Sequence, residues 1–157
     1  MSDSKAVLVM GLGNRLLGDD AAGPLAVDAL AAGERAGRAV FLDGGTIGLA
    51  LLPDIEDASA FIAVDAALFG ARPGTVRVFE GAAMDAQLGG TKRSAHEVAL
   101  CDLMGAAALN GRLPARRALV AVEPARTELA LEPTPAVAAA IPRMCAAVDE
   151  LLARWTT

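Results

Sequence analysis

A short apolar run, a glycine-rich turn and two adjacent carboxylates stand near the start of the chain and limit how it can fold. Residues Val7 to Met10 are too few to cross a membrane and are typical of a buried strand. The glycines of Gly11 to Asn14 let the chain turn sharply where this strand ends. Asp19 and Asp20 follow at once, so the sequence places two acids at the rim of a sheet, where open α/β folds keep their sites.

Apolar strands alternate with helical segments through the rest of the chain. Further strands are predicted at 39–43, 60–65, 74–79 and 118–123, and helices at 20–37, 47–57, 94–109 and 134–154. Residues 66–73 are too few for a helical crossover, so strand 74–79 is predicted to run antiparallel to the third strand, at a sheet edge. Residues 80–93 show no clear period and are predicted to form a mobile surface loop.

This order of elements predicts an α/β fold in one domain, residues 1–157. We expect a three-layer sandwich, with helices on both faces of a five-stranded, mostly parallel, twisted sheet that has one antiparallel edge strand. Ser94 and Glu97 have the spacing of a capping box and predict a helix start. Pro53 and Pro142 fall inside predicted helices and are expected to break or bend them.

The composition argues against two classes of partner. A net charge of −5, 3% aromatic residues and no tyrosine disfavour nucleic-acid binding. No stretch approaches the ~20 apolar residues of a membrane helix, so no membrane insertion is expected. Cys101 and Cys145 are far apart and are expected to be buried small hydrophobes. Because no signal peptide is visible either, we expect a cytoplasmic protein.

Carboxylates follow each of the first three predicted strands, and the only histidine opens a later helix. Asp20, Asp43 and Asp65 should meet at one edge of the sheet, because the carboxyl ends of parallel strands lie together. His96, in the first turn of its helix, is expected to be neutral because the positive helix end disfavours imidazolium. Two carboxylates and an imidazole would suit a metal such as Ni²⁺ or Zn²⁺.

These residues also have plainer interpretations. His96 could be a solvated surface group, Asp19 or Asp20 a helix N-cap, and Asp43 a turn residue. Alternatively, two of the acids could share a proton and activate water, as carboxylate dyads do. The sequence does not separate that chemistry from metal binding.

The glycine turn also fits part of a dinucleotide-binding fingerprint. Gly11 and Gly13 begin the motif, and Asp43 stands where a ribose-binding acid would be expected. However, the third glycine is missing, and Asp19 and Asp20 would repel a pyrophosphate at the helix start. A nucleotide-binding α/β protein is therefore the weaker alternative.

Four short motifs of glycines, acids and one histidine follow one another along nearly the whole chain. They are Gly11 to Asn14 with Asp19 and Asp20, Asp43 to Thr46, Phe61 to Ala66, and Ser94 to His96. Together they resemble the hydrogenase maturation endopeptidases, which trim the C-terminal extension from the large subunit of nickel–iron hydrogenases. The resemblance implies a single hydrogenase maturation protease domain and, as partner, a hydrogenase large-subunit precursor.

The same resemblance implies roles for individual residues. Metal contact falls to Asp20, Asp65 and His96, which would recognise nickel that the precursor supplies; zinc or cadmium could occupy the site in isolation. Asp20, Asp43 and Asp65 are the candidate catalytic carboxylates, in a reaction of aspartic or metal-assisted type. Substrate recognition is expected from Asn14, Asp43, Gly44, Gly45 and Thr46. The alternative is a non-catalytic maturation factor that binds the metallocentre.

Overall fold

One five-stranded sheet forms the centre of the protein in a computed structural model, which describes residues 5–33, 39–45, 48–91 and 94–156. The strands are β1 (Val7–Leu12), β2 (Ala39–Gly45), β3 (Ala60–Ala66), β4 (Val76–Glu80) and β5 (Arg117–Val122). Their order across the sheet is β2-β1-β3-β5-β4, with only β4 antiparallel to its neighbour. The predicted mostly parallel sheet is thereby confirmed, and so is the antiparallel edge strand.

Helices cover both faces of this sheet. They are α1 (Ala22–Ala32), α2 (Leu52–Glu56), α3 (Ala82–Leu88), α4 (Ala95–Leu109) and α5 (Pro135–Thr156), with short 3-10 turns at Gly18–Ala21 and Leu49–Leu51. Two buried apolar clusters result. One joins the sheet to α1 and α5, and the other joins its opposite face to α2, α3 and α4. Alternate side chains along β1 and β3 point into the two clusters, which explains why these strands are apolar throughout.

The edge strand β4 does not pair with β3, the strand that precedes it in the chain. It runs opposite to β3 in direction, as expected, but it pairs with β5 rather than with β3. The link from β3 to β4 therefore spans the place that β5 fills later in the chain. This arrangement leaves β3 fully buried between two parallel neighbours, and it leaves β2 and β4 as the two edges of the sheet.

Three predicted segments differ from the structure. Residues 80–93 are not simply a loop, because α3 forms within them and buries Met84 and Leu88. The strand predicted at 39–43 is longer, since β2 continues through Gly44 and Gly45. The helix expected at 47–57 is shorter, and Pro53 lies in the first turn of α2, where it needs no hydrogen-bond partner.

Helix ends and cysteines show smaller differences. α1 starts at Ala22 after a 3-10 turn and ends at Ala32, while the rest of its predicted span, 34–37, lies outside the described residues. α5 continues through Pro142. Both cysteines are only partly buried, not fully buried as expected, and they do not form a disulfide bond with each other. None of the described helices is long and apolar enough to span a bilayer.

The start of α4 follows the predicted capping box. The hydroxyl oxygen of Ser94 accepts a hydrogen bond from the backbone N–H of Glu97 at 3.3 Å, and its own O–H lies 3.3 Å from Oε1 of Glu97. This cap fixes where the first turn of α4 begins and therefore where His96 lies. Glu97 itself is buried, with 2% of its surface exposed.

We expect Ser94→Ala to lower the free energy of unfolding by about 1 kcal/mol, because it removes the acceptor for an N–H of the first turn. Urea denaturation would measure the change. Ser94→Thr keeps a hydroxyl group and should retain most of the stability. An alanine variant as stable as the parent would show that the cap contributes nothing.

Candidate functional site

Three elements bring Asp20, Asp65 and His96 together at the carboxyl edge of the sheet. Asp20 follows the turn after β1, Asp65 lies near the end of β3, and His96 is in the first turn of α4. The Nε2 atom of His96 lies 3.0 Å from Oδ1 of Asp20, and its Nδ1 atom lies 3.3 Å from Oδ2 of Asp65. One imidazole thus bridges two carboxylates, as the positions of the residues in the sequence suggested.

Asp65 is the most deeply buried member of this group. It has no exposed surface, and neither of its carboxylate oxygens has a hydrogen-bond partner among the described residues. The Nδ1 atom of His96 is likewise without a properly directed hydrogen bond. Buried polar atoms without partners are costly, because they have given up water without replacing it. A cation held between these atoms would restore the missing interactions.

The acidity of the three groups reflects this geometry. Burial raises the pKa of Asp65 to about 7, although the nearby His96 opposes the change. Burial also opposes charge on His96, but the hydrogen bond to Asp20 and the contact with Asp65 outweigh it and raise the pKa of His96 to about 10. The pKa of Asp20 is lowered, since His96 and the N–H of Asn14 overcome the effect of burial.

The expectation of a neutral His96 is therefore wrong. The helix end does disfavour the imidazolium, but two carboxylates within 3.3 Å favour it more strongly. A metal ion would take over the role of that proton, because its charge also neutralises the two acids.

The donor set fits a divalent transition metal. One ligand atom from each of Asp20, Asp65 and His96 lies within 4.8 Å of the others, which is close enough for a shared ion. Two carboxylate oxygens and an imidazole nitrogen are donors that zinc and nickel accept. Three protein ligands leave coordination positions open for a further group.

The turn before Asp20 positions this carboxylate. Oδ2 of Asp20 accepts a hydrogen bond from the backbone N–H of Asn14 at 2.8 Å. Gly13 adopts φ +133°, and a Cβ atom there would overlap the carbonyl oxygen of Asp20, so only glycine fits. Because the carboxylate already occupies the Asn14 amide, this turn is poorly suited to bind a pyrophosphate, which weighs against the dinucleotide hypothesis.

Asp19 has a different task from Asp20. It is fully buried and accepts hydrogen bonds from the backbone N–H groups of Ala125, Arg126 and Thr134 and from the Thr134 hydroxyl, at 2.6–2.9 Å. Burial acts to raise the pKa of Asp19, but these hydrogen bonds outweigh it and lower the pKa. The hydrogen bonds of Asp19 therefore hold the segment after β5 against the site, and Asp19 does not cap its own helix.

Asp43 lies at the end of β2 and is tied by both carboxylate oxygens. Oδ1 accepts the N–H of Gly45 at 2.9 Å, and Oδ2 accepts hydrogen bonds from Arg15 at 2.8 and 3.1 Å. Arg15 also binds Asp28 of α1 through two further hydrogen bonds. These contacts fix the backbone at the end of β2, although Asp43 does not belong to the group around His96.

The packing and pairing of β2 with β1 explain why the two residues after Asp43 are glycines. A Cβ atom on Gly44 would lie 2.8–2.9 Å from side-chain atoms of Met10 and Leu12, so the strand packs against β1 without room for a side chain. The pairing of β1 with β2 also shifts register here, since Leu12 faces Gly45. Thr46, the last residue expected to recognise substrate, lies outside the described residues.

One open cavity of about 1070 Å³ connects these features. Most of the predicted site residues line it, namely Asn14, Asp20, Asp43, Gly45 and His96. Asp65 lies beneath its floor, within reach of His96. The predicted acidic rim is thus a cleft that is accessible from solvent and large enough to admit several residues of a polypeptide.

Two polar residues near this cleft have partners that the sequence did not indicate. Arg15 carries no motif signal, and its pairing with Asp28 and Asp43 joins positions far apart in the chain. Glu123 accepts the N–H groups of Phe69 and Ala71 at 2.9 Å and so holds the segment after β3. The acid that ends β5 was visible in the sequence, but its partners depend on tertiary structure.

Comparisons with known proteins identify the family of this chain. A family model described as hydrogenase maturation protease, HycI, matches residues 25–150, a range that includes Asp43, Asp65 and His96 but not Asp20. The hydrogenase expression/formation protein HupD of Rhodobacter capsulatus is 38% identical over 123 residues, 78% of this chain and 59% of that protein. The Hydrogenase 2 maturation protease of Escherichia coli is 36% identical over 137 residues, 86% of this chain and 83% of that protein. The chain spans 59–61% of the length of the HupD, HupM and HoxM relatives that it first matches.

Solved structures show the same architecture. The hydrogenase maturating endopeptidase HybD from E. coli superposes with a TM-score of 0.88 at 33% identity, covering 95% of this chain and 93% of that one. The nickel–iron hydrogenase maturation protease HybD from Thermococcus kodakarensis gives a TM-score of 0.78 at 28% identity, covering 93% and 98%. With most of its length matched by the family model and by such relatives, this chain belongs to the hydrogenase maturation protease family.

Proposed function

We propose that this protein is an endopeptidase that removes the C-terminal extension from the nickel-loaded large-subunit precursor of a nickel–iron hydrogenase. The observation that carries the proposal is the group formed by Asp20, Asp65 and His96 at an open cleft. Both oxygens of Asp65 are buried and have no hydrogen-bond partner in the part of the chain that the structure describes. Family membership supports the reaction type, since related proteins are named maturation proteases and endopeptidases.

In this proposal, Asp20, Asp65 and His96 contact nickel that arrives with the precursor. Three protein donors leave part of the coordination sphere to the substrate, so a precursor without metal would lose these contacts. Zinc or cadmium would fit the same donors in the isolated protein. Cleavage then depends on prior insertion of the metal, so that only a precursor that already holds nickel is processed.

Peptide hydrolysis also requires a group that accepts a proton from the attacking water. Of the three candidate catalytic carboxylates, Asp20 is the one that both lines the cavity and belongs to the donor group. Asp65 is buried beneath the floor, and Asp43 is held by Arg15 and Gly45. We therefore assign proton transfer to Asp20, in addition to its contact with the metal, and metal contact alone to Asp65 and His96.

The remaining assignments concern recognition and place. The side of the cleft where β2 ends is lined by Asn14, Asp43 and Gly45, and the buried Gly44 lies between the last two. We assign substrate positioning to these four residues. Thr46 follows them in the sequence and is included on the family resemblance alone. Cys101 and Cys145 do not form a disulfide bond with each other, which supports a reducing compartment such as the cytoplasm.

A processing assay tests the proposal. The protein is incubated with large-subunit precursor, purified either with or without nickel, and the mass of the precursor is followed. We expect loss of the C-terminal extension only from the nickel-loaded form. Binding of that precursor without any loss of mass would contradict the protease function and would leave a binding protein in its place.

Metal affinity should rise steeply with pH. With a pKa of about 10, His96 is protonated at neutral pH, so binding of a metal ion must release that proton. We expect the affinity for Ni²⁺ or Zn²⁺ to increase roughly tenfold per pH unit for each proton released, between pH 6 and 8. Calorimetric titrations in buffers of different ionisation enthalpy would count the protons. A pH-independent affinity would contradict the ligand set.

A further inference from the structure

The two edges of the sheet differ in how well they are protected. β2 pairs only with β1 among the described elements, so its outer N–H and C=O groups face away from the sheet. Its residues before Asp43 are all apolar, and Val40 is 52% exposed. An apolar edge strand without lysine or proline readily pairs with another extended chain.

The opposite edge, β4, carries charges that discourage such pairing. Arg77 is exposed and lies over the ring of Phe69, 4.8 Å from its centroid. Glu80 is exposed too and accepts a hydrogen bond from Arg154 at 3.0 Å. The contrast between the edges therefore singles out β2 as the open one.

β2 also leads directly into the functional cleft. Asp43 and Gly45, at its carboxyl end, line the cavity that contains Asp20 and His96. The hydrogen bonds of Asp43 to Gly45 and Arg15 hold this end of the strand in place. A polypeptide paired with β2 would thus be aimed at the site without any change in the fold.

We propose that the open edge of β2 binds the C-terminal extension of the precursor as an added sixth strand. This inference rests on the proposed function, which supplies a substrate tail that must enter the cleft. Strand addition uses backbone hydrogen bonds for affinity, and side chains beside alternate positions for selectivity. An apolar or β-branched residue of the tail would lie beside Val40.

The dimensions of the sheet set the spacing between the paired segment and the bond that is cut. From the added strand to the end of β3, where Asp65 lies, there are three strand spacings, or about 14 Å. An extended chain covers this distance in about four residues. The segment of the precursor that pairs with β2 should therefore end about four residues from the scissile bond.

Matched lysine substitutions on the two edges test the proposal. We expect Val40→Lys to raise the KM for nickel-loaded precursor about 3- to 10-fold with little change in kcat, because a lysine on an edge opposes strand addition. Val78→Lys, the same change on β4, should stay within about twofold of wild type, and Val40→Thr should keep most of the affinity. Equal effects at both edges, or no effect at Val40, would overturn the proposal.

Hydrogen exchange gives a second measurement that does not depend on a variant's stability. The wild-type protein is mixed on ice with nickel-loaded precursor or with mature large subunit, and amide exchange is read after seconds. We expect slower exchange in residues 39–45 with the precursor only, and no change in residues 76–80. Protection of 39–45 by the mature subunit as well, or by a second copy of this protein alone, would overturn the assignment to the tail. Cleavage is followed in the same samples, so a failure of the peptidase function is seen separately from a failure of strand addition.

Discussion

His96→Ala should stop processing of the nickel-loaded precursor and weaken the binding of Ni²⁺ or Zn²⁺ roughly 100-fold or more. His96 is the only imidazole in the chain, and its two nitrogens contact Asp20 and Asp65 at 3.0 and 3.3 Å. Its loss removes one of three donors and leaves two carboxylates facing each other. Calorimetry with each metal and the precursor mass assay would measure both effects.

Two further variants serve as comparisons for His96→Ala. His96→Gln retains a polar side chain of similar size but provides no imidazole nitrogen, and it should also fail to bind the metal. Asp57→Asn removes a carboxylate from an exposed position outside the cleft and should leave both readouts unchanged. An alanine variant with wild-type affinity would remove His96 from the ligand set and would leave a carboxylate reaction as the remaining possibility.

The site was predictable because its residues follow directly from sheet geometry. Asp20 and Asp65 come after parallel strands, so their positions meet at one edge whatever the details of the loops. His96 joined them because a capping box fixes the start of α4 to within a residue. The alternation of strands with helices likewise predicted the sheet, and the short link at residues 66–73 predicted its antiparallel edge strand.

Other features depend on contacts that no local pattern carries. α3 lies in a polar stretch with glycines, and what makes it a helix is the burial of Met84 and Leu88 against α4 and the sheet. The extension of β2 through Gly44 depends on close packing against Met10 and Leu12. Tertiary packing overrides the low strand propensity of glycine in β2. In α3 the alanines, Gln87 and Leu88 favour a helix, but seven residues are too few for a stable helix without this burial.

The charge of His96 shows the same limit for electrostatics. The helix end alone predicted a neutral ring, but the sequence does not give distances, and two acids within 3.3 Å reverse the outcome. Charge interactions weaken with distance, so the two adjacent carboxylates change the pKa of His96 more than the helix end does. The prediction of which residues meet was therefore better than the prediction of their ionisation.

Asp19→Asn should lower the free energy of unfolding by about 3 kcal/mol at pH 7, since it replaces one of the two acceptor oxygens with an NH2 group that faces buried N–H donors. The wild-type carboxylate accepts hydrogen bonds from Ala125, Arg126 and Thr134 and has no exposed surface. For a domain of this size the expected loss corresponds to a Tm lower by roughly 6–12 °C. Thermal and urea unfolding would measure it, with Asp102→Asn on the exposed side of α4 as the matched control.

The effect of Asp19→Asn should depend on pH in a definite direction. Hydrogen bonds from the segment after β5 lower the pKa of Asp19 in the folded state, in spite of burial, so the folded protein binds this proton less tightly than the unfolded chain does. Its stabilisation is therefore complete above the unfolded-state pKa of about 3.9 and is lost as the pH falls through the lower folded-state value. The difference in the free energy of unfolding between wild type and variant should be constant from pH 8 to 5 and shrink below about pH 4.

Because the segment that Asp19 holds also lines the cleft through Pro124, Ala125 and Thr127, the variant should raise the KM for precursor even where it remains folded. A variant as stable as wild type at pH 7 would show that these hydrogen bonds only offset the cost of burying the carboxylate.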